Sequence, residues 1–245
     1  MHWTLTQAGW LRRRGAARNV VKNAAEKSAP SAPALPVHET VYQALRARVL
    51  FGEMTPGQAV TIQGIAAALE AGMTPVREAI RRLISEGALV FQDNRRVIVP
   101  VLTLDDLEQL VFVRKSIEVE LARRAARQIS PDLVQELEQI DAALDGAISN
   151  GDVAGYLAQN HRFHTALYAQ ANAPVLTDQA ERLWLRFGPS LRVVCGRFGT
   201  QNLPDRHKEL LVALSRRDPK AAAEAMAQDI DQGMEQIAAV LQPNG

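Results

Sequence analysis

Four polar side chains in the second half of the chain have the types and the spacing of a metal site. Asn160 and His164 are four residues apart in a stretch with helical periodicity, so their side chains project from the same face. His207 and Asp229 lie at equal distances on either side of Asp218, where an Asp-Pro step is expected to break the helix. An antiparallel helix pair would bring them level. The geometry therefore permits a cluster of two imidazoles, one carboxylate and one amide.

This donor set suits a divalent first-row metal ion such as zinc, nickel or manganese, with coordination positions left open for a ligand. An open metal site can activate water, so a metal-dependent enzyme using the same residues is one alternative. However, no separate carboxylate or histidine stands at a motif position suited to a general base. Helical proteins also bury hydrogen-bonded histidines that bind nothing, and the spacing alone leaves that alternative open.

A second group of residues has the pattern of a DNA-contacting helix. The six residues that begin at Thr74 read Thr-Pro-Val-Arg-Glu-Ala, with Thr74 as the predicted N-cap and Pro75 at the first helical position. Arg77 lies where a guanidinium can pair with guanine, and Thr74 and Arg81 can reach phosphates or base edges. The alternative is an ordinary solvated face made by Arg77, Arg81 and Arg82.

The surrounding pattern predicts the elements that would position this helix. Apolar residues recur at helical spacing in three short segments between Val37 and Gly87. Two β-rich runs then follow, 88–91 and 97–99, joined by an Asp-Asn turn. Helix, helix-turn-helix and hairpin in this order indicate a winged helix-turn-helix, whose second paired helix enters the major groove.

The rest of the chain is predicted to be helical. A near capping box of Thr103 and Asp106 begins the first helix, and no strand pattern follows it. Helices are expected near residues 104–128, 130–149, 152–171, 174–197, 203–216 and 218–241. The predicted fold is therefore mainly α, with a small β-hairpin wing and an antiparallel bundle of about six helices.

Charge is unevenly distributed along the chain. Its net value is +5 over residues 1–37, +1 over 38–103 and −5 over 104–245. DNA would be attracted to the N-terminal side and repelled by the rest. Residues 1–37 are predicted to be a basic, disordered tail and linker, because Lys27 to Pro36 contains three prolines.

Composition excludes several classes of protein. The chain lacks the roughly 18 consecutive apolar residues of a membrane span and the apolar run of a secretory signal. Its lone cysteine, Cys195, cannot form an internal disulfide or a cysteine-based zinc site and is interpreted as packing. We therefore expect a cytoplasmic protein with no membrane partner.

Residues 38–103 resemble the DNA-binding domain of the GntR family of transcription regulators. The shared features are Met-Thr-Pro-Gly at 54–57, the six residues from Thr74 and Glu-Gly at 86–87. Residues 104–241 resemble the helical effector domain of that family's FadR-type branch. The resemblance implies a homodimer that binds a double-stranded DNA operator. Repression that is relieved when an effector binds is favoured over activation.

The chain departs from the family pattern at DNA-contacting positions. Gly72 and Met73 replace a usual Ser-Arg pair, and Gln63 replaces an arginine early in the second helix. Each lost arginine contact could cost about 1 to 3 kcal/mol of base discrimination. Arg96 replaces a glycine of the wing and, with the neighbouring Arg95, offers a further phosphate or groove contact. The operator sequence of other family members therefore cannot be assumed.

The resemblance also implies roles for residues of the helical domain. Many FadR-type domains bind a metal through an Asp or Asn, a His four residues later and two further histidines. Asn160, His164 and His207 fit this pattern, and Asp229 stands where the last histidine is usual. The implied effector is a small carboxylate metabolite that completes the metal's coordination.

Four residues are candidate effector contacts on the same grounds. Arg114 and Glu118 match an Arg-x-x-x-Glu feature of the family's first effector-domain helix, so Arg114 is a candidate carboxylate clamp. An intrahelical Arg114–Glu118 pair is the alternative. Asn172 falls at a family position near the cavity, and Arg192 is a further candidate, whereas His161 is expected to face solvent. A regulator without an effector, holding a structural metal, also remains an alternative.

Overall fold

The computed structural model describes residues 36–92, 96–199 and 206–241, apart from the side chain of Phe198. Residues 1–35, most of the predicted basic tail, lie outside this part, as do Arg95 and residues 200–205. The helices are α1 Val37–Leu50, α2 Ile62–Ala68, α3 Met73–Ser85, α4 Leu104–Gln128, α5 Pro131–Asn150, α6 Val153–Gln170, α7 Pro174–Phe198, α8 His207–Ser215 and α9 Pro219–Leu241. The strands are β1 Ala59–Val60, β2 Val90–Gln92 and β3 Arg96–Ile98. The fold is mainly helical with a small wing, as predicted.

The first three helices and the sheet form the winged helix-turn-helix. Strands β2 and β3 pair antiparallel, with Val90 opposite Ile98, as the predicted hairpin requires. The two-residue strand β1 adds a third strand on the other side of β3, which the sequence analysis missed. Two residues are too short to show a strand period, so only the pairing with β3 reveals β1.

Helix α3 begins two residues earlier than expected. Gly72, in extended conformation, precedes the helix and accepts a hydrogen bond from Val76 N, and no side chain caps this end. The prediction of Thr74 as N-cap and Pro75 at the first helical position is therefore wrong. Pro75 is tolerated at the third position because the first four helical N–H groups have no intrahelical acceptor. The Thr74 hydroxyl is thus not used for capping.

The predicted caps of the helical bundle are largely confirmed. Thr103 and Asp106 form a reciprocal capping box at the start of α4. Gly151 ends α5 in the left-handed conformation, at φ 68°, and Asp152 caps α6. Helix α8 is observed from His207, and the predicted start near residue 203 lies outside the described residues. Within the described residues, no helix is both long and apolar enough to cross a bilayer.

Helix α4 lies at the centre of the bundle and packs against α6, α7 and α9. Helix α7 also packs against α1 of the winged helix-turn-helix, and Gly188 marks this close approach. A Cβ atom on Gly188 would lie 2.4 Å from the carbonyl oxygen of Leu50 at the end of α1. Cys195, also on α7, is buried, and burial raises the pKa of its thiol to about 11. This environment agrees with a packing role.

Candidate functional site

A small cavity lies inside the bundle, and all six bundle helices contribute to its wall. Its open space is about 50 Å³, room for a metal ion and a few water-sized groups, since one water needs about 10–15 Å³. The lining residues are Arg114, Leu144, Ile148, Tyr156, Asn160, His164, Trp184, Phe187, Leu191, His207, Asp229, Gln232, Gly233 and Gln236. All four predicted metal ligands are among them.

His164, His207 and Asp229 converge in this cavity. The two Nε2 atoms are 3.4 Å apart. Asp229 places Oδ2 3.4 Å from Nε2 of His164 and Oδ1 4.0 Å from Nε2 of His207. Both histidines are buried, and Asp229 is partly exposed. Asn160, one turn before His164, lines the same cavity.

The remaining nitrogen of each imidazole faces a polar group of the surrounding helices. His164 Nδ1 lies 3.1 Å from the hydroxyl of Tyr168, and His207 Nδ1 lies 3.3 Å from Oδ1 of Asp141. The His207 ring also stacks on Phe163, with ring centroids 4.0 Å apart. Metal-binding histidines usually have this arrangement, in which an outer partner orients the ring and the other nitrogen points at the ion.

Electrostatics keep the imidazole of His164 neutral. Burial lowers its pKa well below the usual value, and His207 and Arg114 lower it further. A neutral imidazole retains the lone pair that a metal requires. Burial opposes the charge on Arg114, yet Glu118 holds the pKa of that guanidinium above its ordinary value. The cavity thus contains the permanently charged guanidinium of Arg114 beside the neutral imidazole of His164.

These residues fit a divalent metal ion. A tetrahedral ion with bonds of about 2.1 Å has ligand atoms about 3.4 Å apart. Two of the three separations among His164, His207 and Asp229 have this value. Two imidazole nitrogens and a carboxylate oxygen are accepted by zinc, nickel and manganese alike. The donor set therefore supports a metal without selecting its identity.

Arg114 lines the cavity and is also paired within its own helix. Its Nε donates to Glu118 Oε1 at 2.6 Å and its Nη2 to Oε2 at 3.0 Å. Among the described residues, none accepts a hydrogen bond from Nη1. The intrahelical pair is therefore present, and Nη1 is left over for a ligand in the cavity. Glu118 is fully buried behind the cavity wall, so its role as a direct effector contact is corrected to that of a support.

Three further expectations about this region are wrong. Asn172 is exposed in the turn between α6 and α7 and does not line the cavity. Arg192 follows the lining residue Leu191 by one position, about 100° around the helix, and contacts Phe51 O at 3.5 Å instead. His161 does not face solvent: its side chain is 15% exposed and packs edge-on against Trp184.

Within the described residues, all candidate DNA-contacting side chains but Pro75 are exposed. Five of them lie on α3, at its start and on its outer face; Pro75 is half-buried, and Arg81 pairs with Glu78 at 3.5 Å. The exposed members are Gln63, Met73, Thr74, Arg77, Arg81 and Arg96. Their apolar neighbours Val76 and Leu83 are fully buried. Packing of these apolar residues in the core therefore orients the polar face of α3 toward solvent.

Arg82 is also exposed, but its guanidinium is engaged by neighbouring side chains. Its guanidinium lies 3.5 Å from the centre of the Tyr42 ring and pairs with Glu39 at 3.0 Å and with Glu86 at 3.1 Å. These contacts join α3 to α1. Arg82 thus stabilises the winged helix-turn-helix, whereas Arg77 and Arg81 remain available to a ligand.

Two family models match the chain. One is described as "Bacterial regulatory proteins, gntR family" and matches residues 37–99. The other, the FCD domain, matches residues 109–232. The chain belongs to the GntR family. It is of the FadR-type branch, in which an FCD domain follows the helix-turn-helix.

Similar proteins are also regulators of transcription. The HTH-type transcriptional regulator McbR of Escherichia coli K12 is 27% identical over 193 residues, covering 78% of this chain and 87% of McbR. The HTH-type transcriptional repressor RspR of the same strain is 26% identical over 216 residues, covering 86% of this chain and 93% of RspR. This GntR-family chain is accordingly a transcription regulator, and the alternative of a metal-dependent enzyme is set aside.

Solved structures agree with this assignment. The E. coli McbR/YncC structure has a TM-score of 0.79 at 25% identity, covering 85% of this chain and all of that one. A putative GntR regulator from Rhodococcus sp. RHA1 has a TM-score of 0.69 at 23% identity, covering 84% and 99%. The second likeness shows the fold alone.

Several cavity residues of this GntR regulator were missed by sequence reasoning. Tyr156 is one turn before Asn160, and Gln232 and Gln236 follow Asp229 at helical spacing, so extending each helix face would have found them. Trp184 had no such signal. It is 3% exposed, and its Nε1 has no hydrogen-bond partner among the described residues.

Proposed function

We propose that this regulator is a homodimeric repressor whose operator affinity is modulated by a small organic acid at a metal-containing cavity. Residues 38–103 would hold the DNA, and residues 104–245 would bind the effector and dimerise. The observation that carries the proposal is the convergence of His164, His207 and Asp229 beside Arg114 in one cavity. A metal and a guanidinium together form a receptor for a carboxylate.

The proposed DNA contacts begin at the exposed first turn of α3. Arg77 would read a guanine, while Thr74, Pro75 and Arg81 would contact phosphates or neighbouring bases. Gln63 and Met73 would line the same groove in place of the usual arginines, and Arg95 and Arg96 would meet the backbone from the wing. Two such helices in a dimer would fit half-sites about one helical turn apart.

The proposed metal ligands are Asn160, His164, His207 and Asp229. When bound, the metal would supply a Lewis-acidic centre with positions left for an effector carboxylate. Arg114 would clamp the same carboxylate, since its Nη1 is not committed to Glu118. The unpaired indole N–H of Trp184 offers a further donor in the same wall. The small open space favours an effector of few atoms.

The direction of regulation is inferred from relatives. RspR is named as a repressor, and so is a probable D-xylose utilization operon repressor of Paenarthrobacter nicotinovorans, 26% identical over 185 residues. We infer repression relieved by effector in the cytoplasm, where the chromosome is. Because binding free energies are linked, an effector that weakens operator binding must itself bind operator-bound protein more weakly by the same factor.

The DNA-binding assignment is tested by Arg77→Ala. DNA from upstream of the regulator's own gene is the probe, and binding is measured by electrophoretic mobility shift. We expect Arg77→Ala to weaken binding by about 5- to 150-fold, as loss of one base-reading pair worth about 1 to 3 kcal/mol requires. Arg127→Ala, an exposed arginine at the end of α4, is the matched control and should bind like the unmodified protein. Undiminished affinity of Arg77→Ala would contradict the assignment of α3.

The metal assignment is tested by elemental analysis of purified protein. We expect close to one zinc, nickel or manganese ion per chain in the unmodified protein, and a loss of most of it in His164→Ala. His161→Gln, altered on the same helix but outside the cavity wall, should keep its metal. Equal metal content in all three proteins would remove His164 from the site. Metal that is retained while no carboxylate alters operator binding would favour an effector-independent regulator.

A further inference from the structure

A continuous chain of buried hydrogen-bonding groups leads from Arg114 to His164. Arg114 donates to both oxygens of Glu118, Tyr168 shares a hydrogen bond with Glu118 Oε2, and the Tyr168 oxygen lies 3.1 Å from His164 Nδ1. All four residues are at most 4% exposed. Glu118 and Tyr168 are fully buried and do not line the cavity, so the hydroxyl hydrogen of Tyr168 must have its acceptor among the surrounding side chains.

The positions of these hydrogens follow from which groups can donate. Glu118 is a carboxylate opposite a guanidinium, so it only accepts. Tyr168 has a single hydrogen, and its acceptors are Glu118, His164 Nδ1 and the sulfur of Met226 at 3.8 Å. A carboxylate is the strongest of the three acceptors. The Tyr168 hydrogen therefore points to Glu118, and its oxygen is left to accept.

We propose that Tyr168 is a positioning residue for the metal ligand His164, holding its hydrogen on Nδ1 so that the Nε2 lone pair points at His207 and Asp229. The inference rests on the proposed metal site and deepens it. The carboxylate of Glu118 accepts hydrogen bonds from both Arg114 and Tyr168. It therefore positions the proposed effector clamp, Arg114, and through Tyr168 also the proposed metal ligand, His164. The Arg-x-x-x-Glu feature would thereby serve the metal as well as the effector.

One competing arrangement uses the same atoms. Tyr168 could donate to His164 Nδ1, and His164 would then carry its hydrogen on Nε2 and donate to Asp229 Oδ2, 3.4 Å away. That arrangement gives up the charge-assisted Tyr168–Glu118 bond and blocks the nitrogen that a metal needs. The two arrangements differ in the tautomer of a single ring, which can be measured without any metal.

The decisive experiment is carried out on the full-length, metal-stripped protein. Histidine is labelled with ¹⁵N, and long-range ¹H–¹⁵N correlation spectra report which ring nitrogen carries the hydrogen; His164→Gln assigns the His164 signals. We expect His164 to carry its hydrogen on Nδ1. In Tyr168→Phe, which retains the ring and removes the hydroxyl, we expect the hydrogen to move to Nε2, where Asp229 accepts it.

Metal affinity supplies a second readout. With Zn²⁺ as the probe and a chromophoric chelator as competitor, we expect Tyr168→Phe to bind about 10- to 100-fold more weakly, as is usual when an outer partner of a metal-binding histidine is removed. Tyr42→Phe deletes the hydroxyl of a tyrosine on α1 that bonds to Glu86 and does not line the cavity, and it should stay within about twofold of the unmodified protein.

The outcomes separate this inference from the metal site itself. A hydrogen on Nε2 of His164 in the unmodified protein would overturn the role of Tyr168, and so would unchanged zinc affinity in Tyr168→Phe. If the unmodified protein binds no zinc, the proposed metal site is wrong, and the tautomer alone then decides whether Tyr168 orients His164. If Tyr168→Phe does not fold, the tautomer of His164 in the unmodified protein decides the question.

Discussion

Glu181 on α7 lies between Arg46 and His161 at the contact of the winged helix-turn-helix with the bundle. Arg46 of α1 donates a hydrogen bond to it, and His161 Nε2 lies 3.6 Å from its Oε1. Burial alone would raise the pKa of this carboxyl, but His161 and Arg46 outweigh burial and lower it. His161 in turn packs against Trp184 of the cavity wall. Glu181 and His161 together thus connect Trp184 of the cavity wall to Arg46 of α1.

This environment predicts a pH dependence of stability. Since the pKa of Glu181 is lower in the folded than in the unfolded state, its contribution is present above the ordinary value of 4.5 and is lost as pH falls through the folded value. We expect Glu181→Gln to reduce the free energy of unfolding at pH 7 by on the order of 1 kcal/mol, because the carboxyl is partly exposed.

Urea unfolding of both proteins between pH 7 and pH 3.5 measures this difference. It should shrink as the pH falls below 4.5. A difference that is constant with pH would show that Glu181 does not act through its charge.

At the scale of elements, α7 joins the two halves of the described chain. Its Trp184, Phe187 and Leu191 line the cavity, while Gly188, on the same helix, meets the carbonyl of Leu50 at the end of α1. A rotation or shift of α7 on ligand binding would therefore change its contact with α1 and displace the winged helix-turn-helix. Packed helices shift between discrete arrangements, which makes such a contact suited to regulation.

Two glycines of α7 provide a matched test of this contact. We expect Gly188→Ala to destabilise the protein by about 1 to 3 kcal/mol, because the new methyl group would collide with backbone that cannot move aside. Gly196→Ala has nothing within 4 Å of its new methyl group and should be neutral or stabilising by up to about 1 kcal/mol through helix propensity.

Thermal and urea unfolding compare the two variants with the unmodified protein. If Gly188→Ala proves as stable as Gly196→Ala, the close approach of α7 to α1 is not a constraint in solution.

At the scale of the whole molecule, charge is divided between the ends of the chain. Residues 1–37 carry a net charge of +5 and residues 104–245 one of −5. We therefore expect the bundle to repel DNA and the helix-turn-helix and the basic N-terminal segment to supply the attraction. The division favours an orientation in which the effector domain is held away from the duplex.

Deleting residues 1–37 tests the contribution of the basic segment. Each phosphate that it neutralises adds about 0.9 to the slope of log K against log salt. We expect the deletion to weaken binding to random-sequence DNA and to flatten this slope, while the ratio of operator to random binding changes little. Fluorescence anisotropy at several salt concentrations gives both quantities, and an unchanged slope would show that the segment does not contact DNA.

Local patterns sufficed where a feature depends on neighbours along the chain. The capping box of Thr103 and Asp106, the break at Gly151 and the apolar stripe of α3 each arise within one or two helical turns. The start of α3 was misplaced by two residues, because Thr74 has a side chain that can cap a helix whereas the helix begins after Gly72 without a side-chain cap. Strand β1 escaped notice because its pairing with β3 crosses about forty residues of chain.

The sequence by itself determined the family, the order of elements and the four residues whose types and spacing permit a metal site. Only the tertiary structure decided which side chains meet: it brought His164, His207 and Asp229 together, put Tyr168 and Asp141 behind the two imidazoles, and left Asn172 and Arg192 outside the cavity. Helical periodicity gives the direction of a side chain on its own helix. The rotation of each helix against its neighbours depends on how the whole core packs, and no local pattern records it.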